Sequence, residues 1–308
     1  MRTITAGFAA LVAVLGCGKG SEKQEEPNAP CTVMIGGEEY RFEANRVTEL
    51  GSDADTKASY GVISDIHGNA EKAGQFAQKF REMGVDGIIS PGDLGENKAQ
   101  IKAVLEALAE TGLPVFVIPG NHEKRQDYES AVEESTREHS NIIDMARYRI
   151  FDGDDADFVS LPGYQVQRFV HPGGYFASPE MIEETGRLRH GLDDAIVLIT
   201  HGAGRTNGTP GPATLGNGRD VGDANTARMM MGSNIQFAVC GHIHEAGGIA
   251  ATFEGQNIEP GELAEQFTAN FGTLKQWENL NGETYNGTAG ILDIEANRAK
   301  YEFMVWGQ

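Results

Sequence analysis

Between residues 60 and 120, apolar positions alternate between two rhythms. Tyr60 to Ser64 is a short apolar run that stops at Asp65. Ala73, Phe76, Ala77 and Phe80 then recur at helical spacing, which predicts a helix over Ala70 to Met83. Val85 to Ser90 is a second apolar run, ending just before Asp93. Ile101, Val104, Leu105 and Leu108 share one face of a helix expected over Lys98 to Glu110. Val115 to Ile118 is a third run, ending before Asn121. Strands alternating with helices imply βαβ units and a parallel sheet. Asp65, Asp93 and Asn121 stand 28 residues apart, close to the roughly 30 residues of one βαβ unit. The spacing therefore carries all three to one carboxyl edge of the sheet, where α/β proteins place ligands.

Outside this stretch the pattern is less regular. Thr32 to Phe42 reads as a hairpin around Gly36-Gly37. Glu123 to Arg149 is acidic and mixed, with helix expected, and Asp152 to Asp157 reads as an acidic loop. Phe158 to Phe176 predicts two strands separated at Pro162-Gly163, and Pro179 to Arg189 a helix. Ala195 to Thr200 is a buried strand ending at His201. Gly202 to Gly222, rich in Gly, Asn and Pro, has no predicted structure of its own. Loops of that kind act as lids or binding loops, so this one is expected to shape substrate choice. A short helix over Ala224 to Met231 and a strand over Ile235 to Cys240 follow. A helix near Glu262 to Phe271 and a hairpin over Ala289 to Trp306 complete the chain.

Composition narrows the function. The chain has 308 residues, 40% of them apolar, enough to bury a sizeable core. Lys and Arg number 25 against 45 Asp and Glu, a net charge of 25 − 45 = −20. That argues against broad, salt-driven nucleic-acid binding, which needs a basic face. It does not exclude a phosphate-bearing substrate, because bound divalent cations invert the local field. Cys17, Cys31 and Cys240 form no C-x-x-C pair, which argues against a thiolate zinc site. Cys240 reads as a buried thiol, and a disulfide between Cys31 and Cys240 stays open.

The amino terminus carries a separate message. Arg2 is followed by an apolar run, Phe8 to Leu15, too short to span a bilayer. Val14-Leu15-Gly16-Cys17 resembles the lipobox of bacterial lipoproteins, whose Cys is lipidated after cleavage. Gly18 to Pro30 is a polar tether. The expected organisation is a lipoprotein-type signal over 1–16, a tether over 17–30 and a folded domain over 31–308. This places the protein in the cell envelope, periplasmic or at the outer surface, lipid-anchored through Cys17 or secreted. An ordinary secretory leader is the alternative.

Five polar patches each follow an apolar strand: Ser64 to Asn69, Gly92-Asp93-Leu94, Gly120 to Glu123, Thr200-His201-Gly202 and Gly241 to His244. In Asp65-x-His67 and His242-x-His244, residues two apart project to one side of extended backbone and can grip a metal. Imidazole plus carboxylate without thiolate suits Zn, Fe, Mn or a similar ion. One such patch is ordinarily a turn; five in this order point to a metal site.

The order D-x-H, GD, GNH[DE], H, GH-x-H resembles the calcineurin-like metallophosphoesterase superfamily, over roughly Ser59 to Glu245. The resemblance implies a two-sheet α/β sandwich flanked by helices, in four layers α/β/β/α, holding two divalent metal ions. One ion would be bound by Asp65, His67, Asp93 and His244, the other by Asp93, Asn121, His201 and His242. His122 would contact substrate and protonate the leaving oxygen. Ions about 3.5–4 Å apart hold a bridging hydroxide for in-line attack at phosphorus. The implied reaction is hydrolysis of phosphomonoesters or phosphodiesters of small molecules or nucleotides. A phosphoprotein phosphatase is a rival reading, although that branch has Arg-Gly where this chain has Asn97-Lys98. A catalytically silent, metal-stabilised binding lipoprotein is another. Glu96 replaces the Asp many relatives carry, and is either a partner of His122 or a surface helix start. The Asn-Pro-Gly-Ser element of some small relatives is missing. His139, His171 and His190 lie outside the motifs and are assigned surface or packing roles, as are Met229 to Met231. Arg205 and Arg219 are candidates to clamp a phosphate, or are solvated loop charges. Asp152, Asp154, Asp155 and Asp157 lack EF-hand spacing and are read as solvated.

Overall fold

Three βαβ crossovers set the architecture. Strand Lys57–Val62, helix Ala70–Met83, strand Gly87–Ser90, helix Lys98–Ala109, strand Val115–Val117, helix Arg125–Glu138 and strand Ile142–Asp144 follow one another. Their four strands run parallel. The structure, a computed structural model, describes residues 29–208 and 210–307. The signal and Cys17, with most of the tether, lie outside these residues. No described helix is long and apolar enough to cross a membrane.

Among the described residues there are two large sheets. The first has six strands: the parallel four, flanked by the antiparallel hairpin Thr288–Glu295 and Arg298–Val305, which pairs with Lys57–Val62. The carboxyl-terminal hairpin is thus built into the sheet that carries Asp65. The second has ten strands, centred on the parallel run Ala156–Leu161, Ala195–Thr200, Phe237–Cys240 and Phe267–Asn270.

Alternation along the strands sorts side chains into layers. Phe116 enters the core between the sheets with Tyr60, Phe158, Phe237 and Leu292, while Val115 and Val117 face the helices. Those helices offer Phe76, Phe80, Leu105 and Tyr128 in return. On the far side, Val159 and Leu198 pack against Ile182 and Met230 of helices Pro179–Arg187 and Ala224–Ser233. The order is helices, sheet, sheet, helices, as the resemblance implies.

Several expectations are corrected. Glu123 to Arg149 is not continuous helix: Arg125–Glu138 ends, and Ile142–Asp144 becomes the edge strand beside Val115–Val117. Ile142 and Ile143 are β-branched and buried, which favours the pleated sheet. The acidic loop is a hairpin, with Asp152 paired to Arg46 at 2.8 Å and Asp157 buried in strand Ala156–Leu161. Phe158 to Phe176 holds only that strand; beyond Pro162-Gly163 there is a single 3-10 turn, Gln167–Phe169. The prolines at 162 and 172 cannot donate to a ladder. No helix forms near Glu262 to Phe271. Phe267–Asn270 is instead a fully buried strand, where tertiary pairing overrides the helical leaning of Glu262 to Glu265. Cys240 is a free buried thiol, so it makes no disulfide with Cys31.

Candidate metal centre

The five patches meet at the carboxyl ends of the two sheets. Backbone bonds zip the first two together: Asp65 N–H donates to Gly92 O (3.1 Å) and His67 N–H to Asp93 O (2.8 Å). Gly241 N–H donates to His201 O (3.1 Å), joining the last two. Side chains at Gly120 and Gly241 would collide with the Asp93 and Asp65 carboxylates. Asp65, His67, Asp93 and His242 have φ of 51°, 49°, 56° and 64°, a region that non-glycine residues visit rarely. Such strain clusters at functional sites, where surrounding structure imposes it.

Asp93 occupies the middle. Its Oδ1 accepts from the backbone N–H groups of Asn121 (2.9 Å) and His122 (3.0 Å). Its Oδ2 faces His67 Nε2 at 3.7 Å, His201 Nε2 at 3.5 Å and His122 Nε2 at 3.8 Å. To one side lie Asp65 Oδ1 and His244 Nε2, 3.0 Å apart, with His67 Nε2 3.9 Å from the same oxygen. To the other lie Asn121 Oδ1, 2.8 Å from His201 Nε2, and His242 Nδ1, 3.2 Å from that nitrogen. All seven residues named as ligands are therefore drawn together around Asp93.

The donor set fits cations. His67 Nε2 is buried with no hydrogen-bond partner and faces two carboxylates. His201 Nδ1 lies 3.1 Å from the carbonyl of Pro91, which can only accept, so Nδ1 carries a proton and Nε2 is the nitrogen turned to the site. Asn121 Nδ2 donates to Phe169 O (2.9 Å), which turns Oδ1 towards His201. His201 Nε2 and Asn121 Oδ1 are thus aimed at one point, 2.8 Å apart, where a cation would serve both. One ligand atom each from Asp65, His67 and His244, and from Asp65, Asp93 and His201, lie within 4.8 Å of one another.

Electrostatics agree. Burial lowers His67 to about 4 and, with His201 nearby, His242 to about 3. Both imidazoles therefore stay neutral, which is the ligating form. Burial alone would raise Asp65, but His201, His244 and His67 together hold it below the usual carboxylate range. Burial and the neighbouring Asp65 charge push Asp93 up to about 7. Burial and Asp93 push Glu123 up to about 8.

These shifts predict how the metal-free protein responds to pH. Above the ordinary histidine value of about 6.5, His67 and His242 are neutral in both folded and unfolded chains. Asp93 and Glu123 still hold protons that the unfolded chain has released. Stability of the chelator-treated protein should therefore fall as pH rises from about 6.5 to 8. Asp157, raised by burial to about 7, adds to the same slope from outside the centre. Thermal denaturation checks this: Tm should drop over that window without metal and recover in part with Mn²⁺. A flat or rising metal-free Tm would contradict the assignment.

Some participants were not legible as such in the sequence. Glu123 accepts from Gly120 N–H (2.8 Å) and from Leu94 N–H, tying two of the turns together. Tyr164 lies across His242 with ring centroids 3.9 Å apart. His171, assigned to surface or packing, sits against His122 at 4.4 Å. Of the two readings given for Glu96, the partner of His122 is the one found, with Oε1 2.8 Å from Nδ1. Arg205 and Arg219 are exposed; Arg205 Nε donates to Gly222 O (3.2 Å).

A four-layer α/β/β/α sandwich with a histidine–carboxylate–amide centre at its strand ends defines a class of metal-binding phosphoesterase folds. The chain belongs to the calcineurin-like phosphoesterase family, whose pattern matches residues 58–246. Solved structures share the fold. The protein TT1561 of Thermus thermophilus aligns with TM-score 0.56 at 15% identity, covering 75% of this chain and 99% of that one. A dimetal phosphatase from Danio rerio aligns with TM-score 0.52 at 12% identity, covering 82% and 99%. GAP50, the anchor in the inner membrane complex of Plasmodium, aligns with TM-score 0.51 at 12% identity, covering 82% and 86%. No curated protein matches the sequence significantly.

Proposed function

We propose that this chain is a phosphoesterase dependent on two divalent cations, hydrolysing phosphomonoesters or phosphodiesters of small molecules or nucleotides outside the cytoplasm. The observation that carries this is the division of labour at Asp93. Two backbone N–H groups fix Oδ1, leaving Oδ2 between His67 on one side and His201 on the other. Asp65, His67, Asp93 and His244 would hold one ion; Asp93, Asn121, His201 and His242 the other. When bound, such a pair acidifies water and neutralises charge developing at phosphorus. Among the chain's own groups, His122 belongs to neither set. Its Nδ1 is anchored by Glu96, so Nε2 is presented to the cleft and can pass a proton to the leaving oxygen. The location rests on the leader and Cys17.

The test is hydrolysis of chromogenic mono- and diesters by chelated and Mn²⁺-loaded protein. Metal-dependent turnover of one ester class supports the reading. No turnover of any ester with any divalent metal would favour a silent binding protein instead.

The loop over 202–222 bears on specificity. It folds back through bridges at Gly204–Asp223 and Thr214–Asp220, and its Ala203 and Ala213 pack with Cys240 and Ile243 beside the His242 strand end. Replacing residues 206–219 with a short Gly/Ser linker should change relative rates across the ester panel by about tenfold or more, the scale of a lost pocket contact. Unchanged ratios would remove the loop from substrate choice.

A further inference from the structure

A second cluster sits on the outer side of His122. Glu96 Oε1 is 2.8 Å from His122 Nδ1, and Glu96 Oε2 is 4.0 Å from His171 Nδ1. One ligand atom from each of the three residues lies within 4.8 Å of the other two. None of the three belongs to the ligand sets around Asp93. The His122 ring is two-faced: Nε2 looks inward to Asp93, while Nδ1 opens on this cluster. The side chains are 29% exposed at His122 and 40% at Glu96 and His171, so ions in solution reach them.

The position of His171 is set by its backbone, independently of its ring. Its N–H donates to Asn121 O at 2.9 Å, and its carbonyl accepts from Gly174 N–H at 2.8 Å. Two residues earlier, Phe169 O accepts from Asn121 Nδ2. A loop held this way delivers an imidazole to the rim with no hydrogen bond to its ring nitrogens among the described contacts, only the longer approach to Glu96.

We propose that Glu96, His122 and His171 form a third, superficial divalent-cation site, and that zinc occupying it inhibits turnover. Two imidazoles and one carboxylate, open to water on the fourth side, form a tetrahedral donor set of the kind zinc takes. A metal needs the unprotonated nitrogen of each ring, so a cation on Nδ1 displaces the Glu96 hydrogen bond and pins the His122 ring. The ring then no longer follows the leaving oxygen, and an ion with its water stands at the cleft mouth. The inhibition rests on the role proposed for His122; the binding does not.

The experiment compares wild type with His171→Ala and His171→Phe. The Phe variant keeps a ring against His122 but offers no nitrogen, which separates ligation from packing. Zinc bound per chain is counted by mass spectrometry after equilibrium dialysis. Mn²⁺-loaded protein is then titrated with zinc, each variant normalised to its own zinc-free rate. Both variants should bind one zinc fewer than wild type. Their half-inhibiting zinc concentration should rise by more than about 10- to 100-fold, the cost of losing even an outer partner of a metal site. Equal zinc counts in all three proteins would overturn the site. Lower counts with unchanged inhibition would overturn the inhibitory role. If no ester is turned over, the loss of one zinc in the Phe variant still establishes the site while the phosphoesterase reading fails.

Discussion

Asp93→Ala is expected to empty the centre of both ions and to lower ester hydrolysis by at least about 10³-fold. The size follows from losing the several kcal/mol, about 4 or more, by which bound metals stabilise charge in the transition state. One side chain would have so large an effect because both proposed ligand sets include Asp93, whose Oδ2 stands 3.7 Å from His67 Nε2 and 3.5 Å from His201 Nε2. Alanine also strands the N–H groups of Asn121 and His122, which Oδ1 accepts. Asp93→Asn separates the two effects. It keeps an acceptor for those N–H groups while removing the negative charge, so the fold should survive and turnover should still be lost. Metal content by mass spectrometry and ester assays of both variants check this. Full metal loading and activity in Asp93→Asn would show that the shared anion is not needed.

His122→Ala should behave in the opposite way towards metal. Neither ligand set includes His122, so both ions should remain. Turnover should fall by about 10²- to 10⁴-fold, the usual contribution of a positioned proton donor. The loss should grow as the leaving group becomes more basic: small for a nitrophenyl ester, which departs without help, and large for an alkyl ester. Glu96→Gln should show a weaker form of the same trend, because it leaves the imidazole in place but loosens its Nδ1 anchor. A uniform loss across leaving groups would assign His122 to phosphate binding rather than proton transfer.

The site was more legible than the chain between its parts. Asp65, Asp93 and Asn121 could be placed together because a βαβ repeat returns the chain to the same sheet edge at a regular interval. His201 and His242 followed because each ends a continuous apolar strand. The left-handed backbone at four of the candidate ligands could not be read: Asp and His visit that region more than most side chains, but Asp65, His67, Asp93 and His242 are placed in it by the turns that join the strand ends. His171 and Tyr164 lie between Pro162 and Gly174, a stretch without periodicity. Their positions depend on bonds to Asn121 and on packing against His242, which exist only once the sheets have met. The same holds for Glu123: the motif contains it, but its hold on Leu94 N–H reaches back across a whole crossover. Near Glu262 the local leaning was helical, and pairing beside Phe237–Cys240 decided otherwise.

The proposed chemistry requires a pair of cations that share the Asp93 carboxylate. Anomalous diffraction from crystals of the Mn²⁺-loaded protein tests it directly. Two peaks are predicted, both within coordination distance of Asp93, one beside His67 and His244 and the other beside His201 and His242. A single peak, or peaks that leave Asp93 untouched, would contradict the account.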